Sequence, residues 1–330
     1  MFDRMHVRLA PALLFGAAFT AGAPAPAPAC DSTGCLLATR GESGLLRKGA
    51  LQVDLSYRQT SMGTPMRGSS RAREVVRPWA DTIRGELWPG FHREEAARER
   101  FLQLDAAYGL TSRVVLFASA PLMTDRWYRI AHGSLAPQLY DYSTEGFGDA
   151  VVGARVGIMG GMRPLVATFG VKLPTGNSRD LSPGFGLVLD PMGQPGSGAT
   201  DLLASAQYSW AALGASWSAA LSRQQTTQSP LRYEYGDETI ASLGAARRVA
   251  GPVTASLQVK AFHRARSRFL GRPLDSTGGT TLYLTPGLRA ATVAGVSVYA
   301  AVPIPFYRYV YENQLGPSAT LLVGVSKTFP

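Results

Sequence analysis

Apolar and polar residues alternate along most of this chain. Leu51, Val53, Leu55 and Tyr57 fall on one face of an extended segment, and Gln52, Asp54, Ser56 and Arg58 on the other. A period of two is that of a half-buried strand, because successive side chains leave a strand on opposite faces. Leu102, Leu104, Ala106 and Tyr108 alternate with Gln103 and Asp105 in the same way, and Ala150, Val152, Ala154 and Val156 with Asp149, Gly153 and Arg155. Leu202, Ala204, Ala206 and Tyr208 oppose Asp201, Ser205 and Gln207. Val253, Ala255, Leu257 and Val259 oppose Thr254, Ser256, Gln258 and Lys260, and Leu321, Val323 and Val325 oppose Thr320, Gly324 and Ser326. With weaker cases the strand candidates number about twelve. They lie near 50–59, 101–110, 113–122, 147–158, 163–173, 198–210, 213–223, 238–249, 252–263, 280–291, 294–304 and 317–329.

The connections alternate too. Short ones fall near 110–112, 160–162, 211–212, 250–251 and 293; long ones near 60–100, 123–146, 174–197, 224–237, 264–279 and 305–316. A soluble sandwich has no reason to alternate in this way. A transmembrane antiparallel barrel does, with short periplasmic turns, long extracellular loops and an even strand number. About ten residues at ~3.3 Å each, tilted by ~45°, cover roughly 23 Å, close to the apolar band of such barrels. An Arg or Lys facing mid-bilayer lipid costs about 2–4 kcal/mol, which turns the Leu/Val/Ala faces outward. The expectation is an all-β transmembrane barrel of about twelve strands over residues 50–330, with both termini on the periplasmic side.

The inward face then carries Asp54, Arg58, Asp105, Asp149, Arg155, Lys172, Asp201, Lys260 and Arg289, the candidate solute-facing residues. Arg58, Lys172, Lys260, Asp149 and Asp201 are expected towards the extracellular mouth, Asp54 and Asp105 near mid-depth on adjacent strands, and Arg155 and Arg289 lower. Two readings stand side by side: a mixed-charge constriction that selects solutes, or charges that pair to hold the wall together. Tyr57, Tyr108, Tyr208, Trp210 and Tyr307 near strand ends suit interfacial girdles, although aromatic residues favour strands anyway.

Composition agrees with a barrel. The 330 residues are 17% charged and contain no apolar run long enough for a transmembrane helix. Arg4 and Arg8, an apolar run from Leu9 to Ala23 and the small residues Ala27-Pro28-Ala29 read as a secretory signal peptide over 1–29. Its removal takes two Arg and one Asp from a net charge of +10, leaving +9. Residues 30–49 become a periplasmic N-terminal segment. Its Cys30 and Cys35 are read as a small disulfide formed after export, with a lipid-modified Cys30 as the alternative. Export and topology together place the protein in the outer membrane of a Gram-negative bacterium.

Three short motifs occur in order: Gly146-Phe147-Gly148-Asp149, then Gly170-Val171-Lys172-Leu173-Pro174-Thr175-Gly176-Asn177, then Gly196-Ser197-Gly198-Ala199-Thr200-Asp201. Pro174 to Asn177 suit a strand end and turn. The last motif lacks the following helix that a nucleotide loop needs. Over residues 100–222 this order resembles the outer-membrane barrel family labelled for the meta-pathway of phenol degradation. The resemblance implies a transporter-like barrel and the passage of small hydrophobic molecules; it carries no catalytic residues. The final Val323, Val325, Lys327 and Phe329 resemble the C-terminal signal read by the barrel-assembly machinery, with Pro330 departing from an aromatic last residue.

Chemistry beyond this is sparse. His92, His132 and His263 lie in or beside expected loops, and His132-Gly133-Ser134 has the H-x-S form of outer-membrane phospholipases, but no orienting Asn or Asp is assignable. The loop 60–100 is rich in Arg and Glu, with Glu94 to Arg100 a candidate short helix; Arg264, Arg266, Arg268 and Arg272 sit in another loop. Export argues against nucleic acid as their partner. Lipopolysaccharide phosphates suit them, as does a solvated loop with internal Arg–Glu pairs. No metal or cofactor is called for. The leading reading is a passive channel for small, hydrophobic or aromatic solutes. The alternatives are a phospholipase-like hydrolase using His132 and Ser134, and a non-transporting structural or surface-interaction barrel.

Overall fold

A computed structural model describes residues 45–330 apart from 83, 133–137, 182–189 and 293–294. Twelve antiparallel strand segments form a closed wall: β1 Leu51–Gly68, β2 Glu86–Gly109, β3 Val114–His132, β4 Val151–Met159, β5 Leu165–Lys172 and β6 Asp201–Ala212, then β7 Ala215–Gln225, β8 Glu238–Ala250, β9 Val253–Arg264, β10 Gly279–Ala291, β11 Val296–Ala301 and β12 Ile304–Phe329. Each pairs with its neighbours in sequence order. Closure comes at β1, where Leu51 stands opposite both Tyr108 of β2 and Phe329 of β12. A closed sheet leaves no unpaired edge in lipid, the condition a membrane-spanning sheet must meet.

Burial follows the alternation. In β1, Gln52, Asp54, Ser56, Arg58 and Thr60 are buried while Leu51 and Leu55 are exposed to the outside. In β9, Thr254, Gln258 and Lys260 are buried and Leu257 and Val259 exposed. This is the inversion of a soluble protein: polar side chains inside, apolar ones facing lipid. Outward Tyr208, Trp210 and Trp217 stack at the periplasmic end of β6 and β7, with centroids 5.6 and 6.3 Å apart. The β6–β7 turn is Leu213-Gly214, both at positive φ, the backbone of a two-residue hairpin turn. It lies two residues beyond the expected 211–212.

Several segments expected as loops are strands. β1 and β2 continue through much of 60–100, so Glu94 to Arg100 is extended and not helical. Residues 123–132 are the outer end of β3, paired with a further strand, Gln138–Gly146. The 305–316 segment belongs to β12, which first extends the line of β11 along β10, turns at Glu312 (φ 51°) and returns along β1. The stretches of β1, β2 and β3 are too charged for lipid, and they rise beyond the membrane, where the ladder continues in water. The rim is therefore uneven: β1, β2, β3 and β12 are tall, while β4 and β5 have nine and eight residues.

Candidate functional site

On the low side of the rim, the segment after β5 folds inward. The three sequence motifs meet there. Asp149 accepts Gly176 N (3.1 Å) through Oδ1, and Ser197 N (2.8 Å) and Ser197 Oγ (2.5 Å) through Oδ2. Lys172 Nζ stands 3.3 Å from Asp149, 2.6 Å from Asp201 and 2.5 Å from Ser197 Oγ. Asp201 also accepts Gln224 Nε2 (2.8 Å) and Thr227 N (3.1 Å). Thr175 Oγ1 donates to Gly148 O and accepts from Ala150 N. Gly176 and Gly196 pass so closely that a Cβ on Gly196 would lie 2.5 Å from the Gly176 carbonyl carbon, which bars a side chain there. Asp149, Lys172 and Asp201 are all buried, so their charges are compensated locally. The motif thus has a physical meaning: it is a clasp that holds the inward loop.

The tip of that loop, Pro191–Gly193, is a single 3₁₀ turn begun by Asp190, whose Oδ1 accepts Met192 N. Three successive carbonyls are each held by the inner wall. Pro191 O accepts from Tyr235 Oη (2.5 Å), Met192 O from Tyr128 Oη (2.8 Å) and Arg126 Nη1, and Gly193 O from Thr144 Oγ1 (2.6 Å). Arg77 Nη2 lies 3.1 Å from the Met192 sulfur and Nη1 pairs with Glu94 at 2.7 Å. Burial pushes the Tyr235 and Tyr233 phenols well above their ordinary range, so both stay protonated and Tyr235 keeps its donor to Pro191 O. A small sheet of Tyr233–Glu234, Arg268–Phe269 and Arg272–Pro273 packs Tyr233, Phe269 and Leu274 against Ala80 beside this tip.

Two cavities flank Met192. One, of about 50 Å³, is bounded by Ile130, Tyr142, Thr144 and Gly193. The other, of about 180 Å³, is bounded by Met62, Phe262, Tyr283, Tyr309 and Leu315. Arg77, Glu94, Tyr128 and Met192 line both and form the partition between them.

Deeper in the lumen, cations lie on rings. Arg58 sits over Phe101 (4.4 Å), Arg155 over Phe117 (5.1 Å), Lys260 over Tyr283 (4.3 Å) and Arg289 over Tyr299 (4.7 Å). Such stacking helps to stabilise a desolvated cation. Asp54 and Asp105 are directly opposite each other on β1 and β2; Asp54 accepts from Tyr299 Oη (2.8 Å) and Asp105 from Gln103 Nε2 (2.9 Å). At the periplasmic end, Leu45 and Leu46 pack inside the barrel on Ala107, Val115, Phe117, Val151 and Leu203.

The structure therefore gathers Asp149, Lys172 and Asp201 into one network and leaves Arg58, Arg155, Lys260 and Arg289 on separate rings. Arg77, Glu94, Arg126 and Tyr128 could not be placed from the sequence, because they fall in stretches whose alternation is masked by charge on both faces, and Met192 and Tyr235 lie in connections that carry no periodicity. His263 pairs with Thr280 Oγ1 at 2.9 Å. Gly133 and Ser134, like Cys30 and Cys35, lie outside the described residues.

The fold is similar to that of an outer membrane channel from Pseudomonas putida F1, with a TM-score of 0.58 at 16% identity, covering 88% of this chain and 98% of that one. The transport unit of the autotransporter AIDA-I from Escherichia coli is similar at a TM-score of 0.47 (9% identity; 86% and 91% covered). A Pseudomonas aeruginosa FadL homologue is similar at 0.40 (10% identity; 87% and 91% covered). No protein-family model and no curated protein sequence matches the chain. The fold is that of a twelve-stranded barrel of the outer membrane.

Proposed function

We propose that this barrel is an outer-membrane channel for passive uptake of small hydrophobic or aromatic compounds. The observation that carries this reading is the inner chamber of about 180 Å³, walled by Met62, Phe262, Tyr283, Tyr309 and Leu315 and roofed by the Met192 loop. A wide aqueous pore is poorly suited to such a lumen. Twelve strands give a narrow barrel, and this one holds an inward loop near one end and Leu45 and Leu46 near the other. A chamber whose rings and thioethers share the wall with charges already paired to one another suits an uncharged solute that sheds its water on entry. Movement down a concentration gradient requires no cofactor.

The order of the three motifs supports grouping the chain with the barrels labelled for the meta-pathway of phenol degradation. In the same reading, residues 1–29 are removed on export, Phe329 at the strand end is read by the assembly machinery, and lipopolysaccharide contacts the exposed arginines of the rim. Mass determination of the mature chain tests the first point.

The main test is accumulation of labelled toluene and benzoate in cells of a porin-deficient Gram-negative host with and without the protein, with folding checked by heat-modifiable gel mobility. Faster accumulation of toluene supports the proposal. No change with folded protein in the outer membrane overturns it. Single-channel recording of the same protein should give small conductance steps, in keeping with the narrow lumen.

A further inference from the structure

The partition between the two cavities has a charge pattern that bears on what it admits. Four charged side chains line the inner chamber: Arg77, Glu94, Glu99 and Arg264. Each has an opposite partner. Arg77 pairs with Glu94 at 2.7 Å, Glu99 with Arg126 at 3.5 Å and Arg264 with Glu238 at 2.5 Å. Lys260 is not part of the lining and lies against the Tyr283 ring at 4.3 Å. A charged ligand entering here would lose its water and find every lining counter-charge engaged, a costly exchange. An uncharged ligand meets no such penalty.

One polar group in the partition is unsatisfied. Arg77 Nε is buried and has no hydrogen-bond acceptor among the described residues, although Nη1 is held by Glu94 and Nη2 by the Met192 sulfur. A buried donor without an acceptor is costly, and a ligand oxygen that reached it once the Met192 side chain swings aside would remove that cost. Tyr128 Oη is already donated to Met192 O. The rest of the lining is rings, aliphatic groups and the neutral polar side chains Thr280, Thr281 and Gln314; Thr280 Oγ1 lies 2.9 Å from His263 Nδ1 and Gln314 Nε2 donates to Gly278 O and Tyr311 O, and about 180 Å³ suits one ring rather than several.

We propose that Arg77, Glu94, Tyr128 and Met192 form a selective gate whose ligand is an uncharged single-ring aromatic bearing one oxygen acceptor, with Arg77 Nε as the donor to that oxygen. The ring lies in the chamber beside Phe262 and Tyr283. Met192 is the movable part, because its side chain separates the two cavities while its backbone is held by the wall. This inference rests on the channel reading for its biological role, but the binding site is testable by itself.

The test is calorimetric titration of the full-length mature protein, folded in detergent, with four probes of similar size: acetophenone, ethylbenzene, benzoate and benzylammonium. Acetophenone is expected to bind saturably, ethylbenzene about tenfold more weakly for want of the hydrogen bond, and the two ions more weakly still. Arg77→Lys keeps the charge opposite Glu94 and removes the Nε donor; it should bring acetophenone to the ethylbenzene level and leave ethylbenzene unchanged. Met192→Trp, which fills the cavities, should abolish both. Benzoate or benzylammonium binding as tightly as acetophenone would overturn the proposal, as would an unchanged acetophenone preference in Arg77→Lys. Should Arg77→Lys fail to fold, the probe series on the wild-type protein and Met192→Trp still decide.

The two readings fail separately. Acetophenone binding without any accumulation in cells would sink the channel and leave the site standing. Accumulation of toluene with no saturable acetophenone binding would sink the gate and leave the channel.

Discussion

Lys172 and Asp201, from β5 and β6, meet at 2.6 Å inside the wall, and Asp149 completes the group at 3.3 Å from the same ammonium. All three are buried. The group ties the ends of three neighbouring strands to the loop that carries Met192. Lys172→Met should leave two buried carboxylates facing each other without a cation. Breaking a buried pair typically costs about 3–5 kcal/mol. Urea unfolding of the barrel in lipid vesicles should show that loss, and the same variant should conduct more because the inward loop loses its anchor. An unchanged unfolding midpoint would remove the clasp from the account.

Leu45 and Leu46 occupy the other end of the lumen against Phe117, Val115 and Leu203. Replacing both by Ser should cost about 1 kcal/mol per leucine, half the value of full burial, since each is only partly buried. Single-channel conductance should rise in the double variant. Equal conductance would mean that this segment does not limit the pore.

Leu257 and Gln258 are neighbours on β9 with opposite fates, one exposed to lipid and the other buried in the lumen. Leu257→Arg should destabilise the barrel by about 2–4 kcal/mol, the mid-bilayer cost of a cation. The same urea titration measures it. A neutral outcome would contradict the assignment of faces.

The Tyr235 hydroxyl holds Pro191 O, and burial raises its pKa well above the ordinary value. The sign follows from which state binds the proton more tightly. Below about pH 10, the unfolded phenol is also protonated and the stabilisation is complete. Above it the unfolded chain ionises first, so stability falls as pH rises towards the folded-state pKa. Tyr233 contributes with the same sign. Thermal melting from about pH 8 to about pH 11 should show this alkaline loss, smaller in Tyr235→Phe. A flat profile would mean that the loop anchor is not buried in solution.

The period of two in Leu51–Arg58 and Val253–Lys260 was enough to assign strands and to say which face meets lipid. Lipid imposes that choice on each strand separately, through the cost of every misplaced charge, so it is written locally. The alternation of short and long connections gave the closed antiparallel order for the same reason: neighbours in sequence become neighbours in the wall. The heights of the strands were not legible. Above the membrane both faces of β2 are polar, as in Glu94–Arg100, and a strand there looks like a loop.

The gate was beyond the sequence altogether. Nothing about Met192 distinguishes it from an ordinary loop methionine until Tyr128, Arg126, Thr144 and Tyr235 arrive from three other segments to hold its backbone. Lys172 could be placed on the inner face but not beside Asp149 and Asp201 with Ser197. The membrane, the wall and its two faces were legible strand by strand, because each depends on a strand's own exchange with lipid. What fills the lumen came from the folded barrel alone, because it depends on side chains brought across the lumen by closure.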